Sequence, residues 1–90
     1  MTAADRWRAA AAGWSCLYRA GELNATQSAW SLEQAAKHLA RAGLLDLAQE
    51  ARELADNWTD DELRPLMDRA AEAAGKLELE ATQCGLSSIG

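Results

Sequence analysis

Carboxylates are the most concentrated reactive groups in this chain, and they gather near residue 60. Asp56, Asp60, Asp61 and Glu62 lie within one stretch of seven residues. Acids at the start of a helix bind its free N–H groups and suit the positive end of its dipole, so helix capping explains part of the set. With further acids before and after them, the same residues also predict an acidic surface, which would dock on a basic protein or imitate a nucleic-acid backbone.

Trp30 is the single residue most typical of a binding site. When successive helical residues are placed about 100° apart, Trp30 lies about 160° from Leu32, a member of the apolar stripe of the same helix. Its neighbours on the outward side are Gln34, Lys37 and Arg41. An exposed tryptophan beside cations is a frequent hot spot of protein–protein interfaces. Trp30, Lys37 and Arg41 are therefore predicted to bind a partner.

The orientation of Trp30 depends on where its helix begins. Asn24-Ala25-Thr26-Gln27 and Ser31-Leu32-Glu33-Gln34 both have the pattern of a helix start. A start near Ala25 turns Trp30 outward, toward a partner or a second copy of the chain. A start at Ser31 makes Trp30 a staple residue instead, and coverage by a long first helix or by the tail is a further alternative. The apolar stripe reaches back to Ala25, which favours the early start.

The other reactive side chains predict no catalytic or metal site. Cys16 falls on the polar face of the first helix and is expected at the surface, whereas Cys84 falls on an apolar side and is expected to be structural. His38 is the only histidine in the chain and is expected in solvent. A zinc site needs clustered Cys or His, and a nucleophile needs a base beside it, and the sequence has neither pattern. We therefore expect no metal, no cofactor and no enzymatic activity.

The composition predicts the elements that must position these residues. The 90 residues include 21 Ala, 13 Leu and one Ile, and neither Val nor Phe. Ala and Leu favour helices, and strands depend on β-branched and aromatic residues, so we expect an all-α fold. Short connections predict a compact antiparallel bundle of about four short helices. Because so short a chain builds a thin core, completion of the bundle by homodimerisation stays open.

Capping patterns and apolar spacing together predict the helix boundaries. They divide the chain into one helical domain, residues 1–85, and a flexible tail, residues 86–90. The predicted boundaries, in chain order, are a start at the Thr2–Asp5 capping box, stops at Gly21 and Gly43, a start capped by Asp46, a start at the 59–62 capping box with Pro65 in the first turn, and a stop at Cys84-Gly85.

Large aromatic side chains are expected to fill the gaps between alanine-rich helices. Trp7, Trp14 and Tyr18 fall on the apolar stripe of the first helix, and Trp58 falls on that of the third. Core packing is the expected role of the three tryptophans. Where such a stripe is wider than the core, a core shared with a second copy is the alternative.

Residues 35–56, AAKHLARAGLLDLAQEARELAD, form a pattern of helix, glycine and helix. This stretch resembles the hairpin of tetratricopeptide-type repeats. The rest of the chain shows no repeat of that period, so we interpret it as a generic helical hairpin. The same stretch does not suit a DNA-reading helix-turn-helix, because the second helix is acidic.

Charge divides the chain into two unequal halves. The net charge is −5, made up of +2 in residues 1–45 and −7 in residues 46–90. An acidic chain repels phosphate backbones, which argues against direct nucleic-acid binding. We recognise neither a secretory signal nor an apolar run long enough for a membrane span, and the two cysteines lie far apart without a metal or redox spacing. A cytoplasmic protein is therefore expected.

These features predict a small non-enzymatic regulator or adaptor. It would bind and antagonise a partner protein, such as a transcription regulator, by stoichiometric contact. The alternative is a phage- or plasmid-encoded acidic inhibitor, of the anti-CRISPR or anti-restriction type, that presents its acidic half to a nucleic-acid-binding complex. In both hypotheses the partner is another protein, and a homodimer is a further possibility.

Overall fold

A computed structural model of the chain describes residues 2–22, 25–57 and 60–89. It contains α1 (Ala3–Ala20), α2 (Ala25–Arg41), α3 (Leu45–Asp56) and α4 (Asp60–Ile89). The described residues include no strand. The prediction of an all-α bundle of four helices is confirmed.

The four helices form a ring in which one contact is much weaker than the others. α1 packs along α2 and α4, and α2 packs along α3, whereas α3 and α4 share only a few contacts. Neighbours run antiparallel: Ser28 of α2 meets Ala20 near the end of α1, and Arg6 near its start meets Ala42. The resulting bundle is 49 Å long and 19 Å across.

Leucines and alanines build the core, and α1 approaches α2 very closely. Leu17, Leu32 and Leu39 are completely buried. A Cβ on Gly13 would lie 2.9 Å from both Cγ and Cδ2 of Leu39. Gly13 is therefore the small residue that allows α1 to reach the side chains of α2.

Two buried serines fix the register of α1 against α2. The Ser28 hydroxyl donates to the carbonyl of Ala20 at 2.6 Å, and the Ser31 hydroxyl donates to that of Cys16 at 2.8 Å. These bonds satisfy polar groups that would otherwise be costly to bury. α2 begins at Ala25, so the early start is confirmed, and Ser31 lies inside the helix rather than at its cap.

The connection from α2 to α3 is a tight turn at Gly43. This residue has φ +83°, a conformation that favours glycine. The amide of Leu44 donates to the carbonyl of Leu39, and that of Gly43 donates to Ala40, which is the hydrogen-bond pattern of a Schellman motif. The Arg6 side chain donates from Nε to the Ala42 carbonyl at 3.1 Å, so α1 also caps α2. The predicted stop at Gly43 is confirmed.

The first helix begins and ends where the sequence predicts. The Asp5 amide donates to the Thr2 hydroxyl, and the Thr2 amide donates to the Asp5 carboxylate, which completes the capping box. These bonds from Thr2 hold the pKa of the Asp5 carboxyl below its usual value. Gly21 is the C-terminal cap, although in a right-handed conformation that does not require glycine.

Three predicted details of α3 and α4 are wrong. α3 begins two residues early, with Leu44 as its cap and Asp46 in the first turn. Pro65 lies inside α4, beyond the first turn, so the carbonyl of Asp61 has no backbone amide to accept from at the i+4 position. α4 also continues past Cys84-Gly85 to Ile89. The division into a domain and a flexible tail stays a prediction.

The aromatic residues of α1 are less buried than predicted. Trp7 and Trp14 are half-buried at the edge of the core. Tyr18 is exposed and stacks on Trp14 with ring centroids 5.7 Å apart. The buried stripe of α1 is rotated toward small residues, which allow closer packing than the aromatic stripe would. Trp58 lies outside the described residues.

Candidate protein-binding site

The outward side of α2 carries an aromatic side chain between cations. Trp30 is 62% exposed, and Lys37 and Arg41 are exposed on the same helix. We call these three residues the α2 outer face. The opposite side of α2 is buried, because Ser31 and Leu32 pack against α1 and the core. The prediction that an early helix start turns Trp30 outward is confirmed.

The cations of the α2 outer face form no ion pair in the described part of the chain, although the exposed Glu33 lies one helical turn before Lys37. The ion pairs there join Asp5 to Arg8, Glu50 to Arg69 and Glu72 to Lys76, and none includes Lys37 or Arg41. Their charges therefore remain available beside an exposed tryptophan. The α2 outer face has an apolar centre and a cationic margin, which suits contact with another protein.

A groove of about 820 Å³ lies between α3 and α4 at the end near the 57–60 connection. It exists because α3 and α4 pack along other helices and hardly along each other. Its floor includes the buried side chains of Leu54 and Leu66. We call it the acidic groove, after the carboxylates that line it: Glu50, Glu53, Asp56, Asp61 and Glu62.

Charge in the acidic groove is poorly balanced. Five carboxylates and the guanidinium of Arg69 line it, which gives a formal charge of −4. Arg69 donates from Nη1 to both carboxylate oxygens of Glu50, at 2.7 and 2.5 Å, and this contact raises the pKa of Arg69. The carboxylates of Asp56, Asp61 and Glu62 have no ion pair or hydrogen-bond partner among the described residues.

Helix capping accounts for only one side of the acidic groove. Asp61 and Glu62 lie in the first turn of α4, where negative charge suits the helix dipole. Glu53 and Asp56 lie in the last turn of α3, which contains no basic residue. Negative charge at that end of a helix is unfavourable. Glu53 and Asp56 therefore interact unfavourably with the dipole of α3, although Glu53 also accepts a hydrogen bond from the Gln49 side chain.

A second groove, of about 490 Å³, follows the same α3–α4 contact toward the Gly43 turn. It differs from the acidic groove in carrying four leucines and in having nearly balanced charge, since Arg69 and Lys76 offset two of its three acids, Asp46, Glu72 and Glu80. Leu45 is 67% exposed there, whereas Leu47 and Leu77 are buried at its base. Arg69 lines both grooves, and its bridge to Glu50 crosses between them. We call this the leucine groove, after Leu44, Leu45, Leu47 and Leu77.

The predicted binding residues fall on two separate surfaces. Asp56, Asp61 and Glu62 line the acidic groove, and none of the α2 outer face residues lines either groove. The side chain of Asp60 lies outside the described residues. The leucine groove was not predicted, although three leucines within residues 44–47, more than one helix face can bury, are a signal for it.

Cys16 and His38 are placed differently from their predictions. Cys16 is half-buried against the core rather than on a polar surface, and burial raises the pKa of its thiol while Arg19 opposes the rise. A raised pKa leaves less of the nucleophilic thiolate at neutral pH. His38 is also half-buried rather than solvent-exposed. Within the described ranges, no group of three or more His, Cys, Asp or Glu could hold a metal ion.

Comparison of the chain with protein-family models, with curated proteins and with solved structures found no match. None of the helices, over the residues described, has an apolar stretch long enough to cross a membrane. The surfaces of the bundle are therefore the basis for a functional assignment.

Proposed function

We propose that this protein is a small non-enzymatic regulator that binds a partner protein through the α2 outer face. The observation that carries the proposal is that Trp30 is 62% exposed on a helix whose other side is buried in the core. An exposed tryptophan is costly in water and gains most when a partner covers it. Binding would be stoichiometric, and a transcription regulator that it antagonises is one class of partner. The proposal places the protein in the cytoplasm, where thiols such as that of Cys16 stay reduced.

Lys37 and Arg41 have a secondary role in this proposal. Exposed cations at the margin of an interface mainly accelerate association and select partners of opposite charge. The partner surface is therefore expected to combine an apolar pocket for Trp30 with acidic groups around it. Such a contact would leave the acidic groove free.

The test is affinity capture from the source cell with the wild-type chain and with Trp30→Ala. A partner of the α2 outer face should be retained by the wild type and lost by the variant. With the purified partner, Trp30→Ala should weaken binding by about 2 kcal/mol or more, roughly thirtyfold, in isothermal titration. Lys37→Ala and Arg41→Ala should each cost less, and their effects should shrink as salt rises.

Leu79→Ala is the matched control, because Leu79 is 60% exposed and belongs to α4, which does not pack against α2. It removes a similar exposed apolar side chain and should leave capture unchanged. Circular dichroism and thermal unfolding should show that both variants remain folded, since exposed substitutions change stability by about 0.5 kcal/mol or less. Equal capture by the wild type and Trp30→Ala would rule out the proposal.

A second candidate function is favoured by the acidic groove. In this alternative the protein is an acidic inhibitor, of the phage or plasmid type, that occupies the basic surface of a nucleic-acid-binding complex. The supporting observation is that Asp56, Asp61 and Glu62 share one groove and have no ion-pair partner among the described residues. Changing Asp61 and Glu62 to Lys should abolish binding to such a complex. Affinity that ignores both this change and salt concentration would exclude it.

A further inference from the structure

The α3–α4 side of the bundle is open along most of its length. The other three sides of the ring are closed by helices packed along one another. On the open side the acidic groove and the leucine groove follow each other, and Arg69 lines both. Among the described residues, the ion pair between Arg69 and Glu50 joins α3 to α4 across this side. Both of its side chains are about half exposed to solvent. Exposed ion pairs of this kind contribute about 0–1 kcal/mol, so the bridge adds little to the few packing contacts between α3 and α4.

The two grooves differ in charge and in leucine content, so the two ends of the open side are chemically distinct. At the Gly43 end, leucines from α3 and its connection face Ala73 and Leu77 of α4. At the opposite end, the lining carries a formal charge of −4 over a floor that includes Leu54 and Leu66. One face of an amphipathic helix could cover the leucines along both grooves. The lining of the leucine groove has a formal charge of only −1, so positive charge on such a helix would be favoured most at the acidic end.

We propose that the open side binds an amphipathic helix of a partner protein, with leucine-like residues along one face and lysines or arginines concentrated in one half. This is the helix-in-groove mode of recognition, in which an apolar face anchors the helix and charge sets its direction. The basic half lies in the acidic groove, beside Asp56, Asp61 and Glu62. The apolar half lies in the leucine groove, beside Leu45. The inference rests on the second candidate function, to which it adds the chemical class of the partner.

The charges of α3 support a binding role for the acidic groove. Glu53 and Asp56 lie at the negative end of the α3 dipole, where carboxylates destabilise the helix. Asp61 and Glu62 face the same groove from α4, so repulsion across the groove adds to this cost. A cationic partner removes both unfavourable terms at once. A bound basic helix thus supplies the positive charge that the acidic groove lacks in the free protein.

The probe is a synthetic helical peptide of about 14 residues, roughly 21 Å long, carrying a fluorescent label. Leucines occupy one face along its whole length, lysines fill the rest of one half, and glutamines fill the other. The control peptide has the same composition in an order that scatters the leucines over all faces. Binding is measured by fluorescence anisotropy at low salt, and the bound surface is mapped by amide chemical shifts in NMR.

Two pairs of protein variants separate the contributions of charge and apolar contact. In the first pair, each variant has four carboxylates replaced by neutral amides. One member changes the groove residues Glu53, Asp56, Asp61 and Glu62 to their amides, and the other changes the exposed Glu22, Glu33, Asp68 and Glu78, which line neither groove. The second pair is Leu45→Ala in the leucine groove and Leu79→Ala outside it, two leucines of similar exposure.

We expect the ordered peptide to bind and to shift amides of α3 and α4. The groove-neutral variant should weaken binding about tenfold or more, and its matched control about twofold or less, because only local charge acts at short range. Leu45→Ala should weaken binding at least threefold, and Leu79→Ala should not change it. Equal affinity for the ordered and scattered peptides, equal effects within either pair, or a complex containing two protein chains would each overturn the inference.

Trp30→Ala separates this inference from the function proposed for the α2 outer face. Peptide affinity should be the same in Trp30→Ala and the wild type, because Trp30 lines neither groove. If the peptide binds and Trp30→Ala has no effect on partner capture, the α2 outer face is ruled out as the binding site and the open side is supported. If Trp30→Ala abolishes capture and the peptide does not bind, the open side is ruled out and the α2 outer face is supported.

Discussion

Two glycines inside helices have opposite surroundings. A Cβ on Gly13 would lie 2.9 Å from two atoms of Leu39, a side chain with no exposed surface into which it could move. A Cβ on Gly75 would meet nothing within 4 Å, because Gly75 faces solvent on α4. An added methyl group would thus overlap Leu39 at position 13, whereas at position 75 it would only raise the helix propensity.

Gly75→Ala should stabilise the protein, and Gly13→Ala should destabilise it. The first change removes the entropy cost of a helical glycine, about 0.5–1 kcal/mol, and the second forces overpacking, about 1–3 kcal/mol. Each kcal/mol corresponds to roughly 4–8 °C in Tm for a domain of this size. Thermal unfolding of both variants measures the shifts. A stabilising Gly13→Ala would mean that α1 and α2 are further apart than the structure has them.

For individual side chains, helical periodicity predicted one orientation correctly and two wrongly. The outward position of Trp30 follows from counting residues along a helix, and it is confirmed. The same counting placed Tyr18 on the core side and Cys16 on the polar side, and both placements are wrong. Periodicity locates a stripe, but small residues such as Gly13 decide which part of it a neighbouring helix can approach. Which part is approached also depends on the side chains of the neighbouring helix, and the stripe of one helix carries no information about them.

The ends of the helices show where capping patterns predict well and where they fail. The capping box at Thr2 and the glycine stop at Gly43 are local arrangements, completed within a few residues, and both are confirmed. The Arg6 contact with Ala42 joins α1 to the end of α2 across 36 residues, so no local pattern contains it. α3 begins before Asp46 because the turn at Gly43 already directs Leu44 and Leu45 into the helix.

Acids at opposite helix ends should respond in opposite ways to neutralisation. Asp56→Asn removes a charge from the negative end of α3 and should stabilise the protein by about 0.3–1 kcal/mol at low salt. Asp61→Asn removes a charge from the first turn of α4 and should destabilise it by a similar amount. Urea unfolding at low and high salt measures both.

The contrast between these two variants should fade at high salt, because screening weakens charge–dipole interactions. Glu33→Gln serves as the control, since Glu33 is exposed in the middle of α2, away from both helix ends. A stabilising effect of equal size in Asp61→Asn would show that repulsion across the acidic groove outweighs the dipole of α4.

Two helices of the bundle pack along only one neighbour, α3 along α2 and α4 along α1, and α3 is the shorter, with 12 residues against 30. α1 and α2 each pack along two helices, whereas α3 packs along α2 and hardly contacts α4. The sequence predicted four antiparallel helices, but it did not predict that one side would stay open. That outcome depends on which helix faces are complementary in three dimensions, and the acids of Glu53 and Asp56 weaken the α3–α4 contact further.

Hydrogen exchange should therefore show that α3 opens separately from the rest of the bundle. The amides of Ala51 and Leu54 in α3 should exchange with an opening free energy about 1–2 kcal/mol below that of Ala35 and Ala36 in α2. All four residues are buried, so a difference reports support from neighbouring helices rather than exposure. NMR-detected exchange at one pH provides the measurement.

Gly75→Ala distinguishes local opening of α3 from unfolding of the whole bundle. By stabilising α4, it should slow exchange at Ala35, where exchange requires global unfolding, and leave exchange at Ala51 unchanged, because α4 stays folded when α3 opens alone. Equal slowing at both positions would show that the bundle unfolds as one unit. In that case the few contacts between α3 and α4 would be sufficient to couple the open side to the rest of the fold.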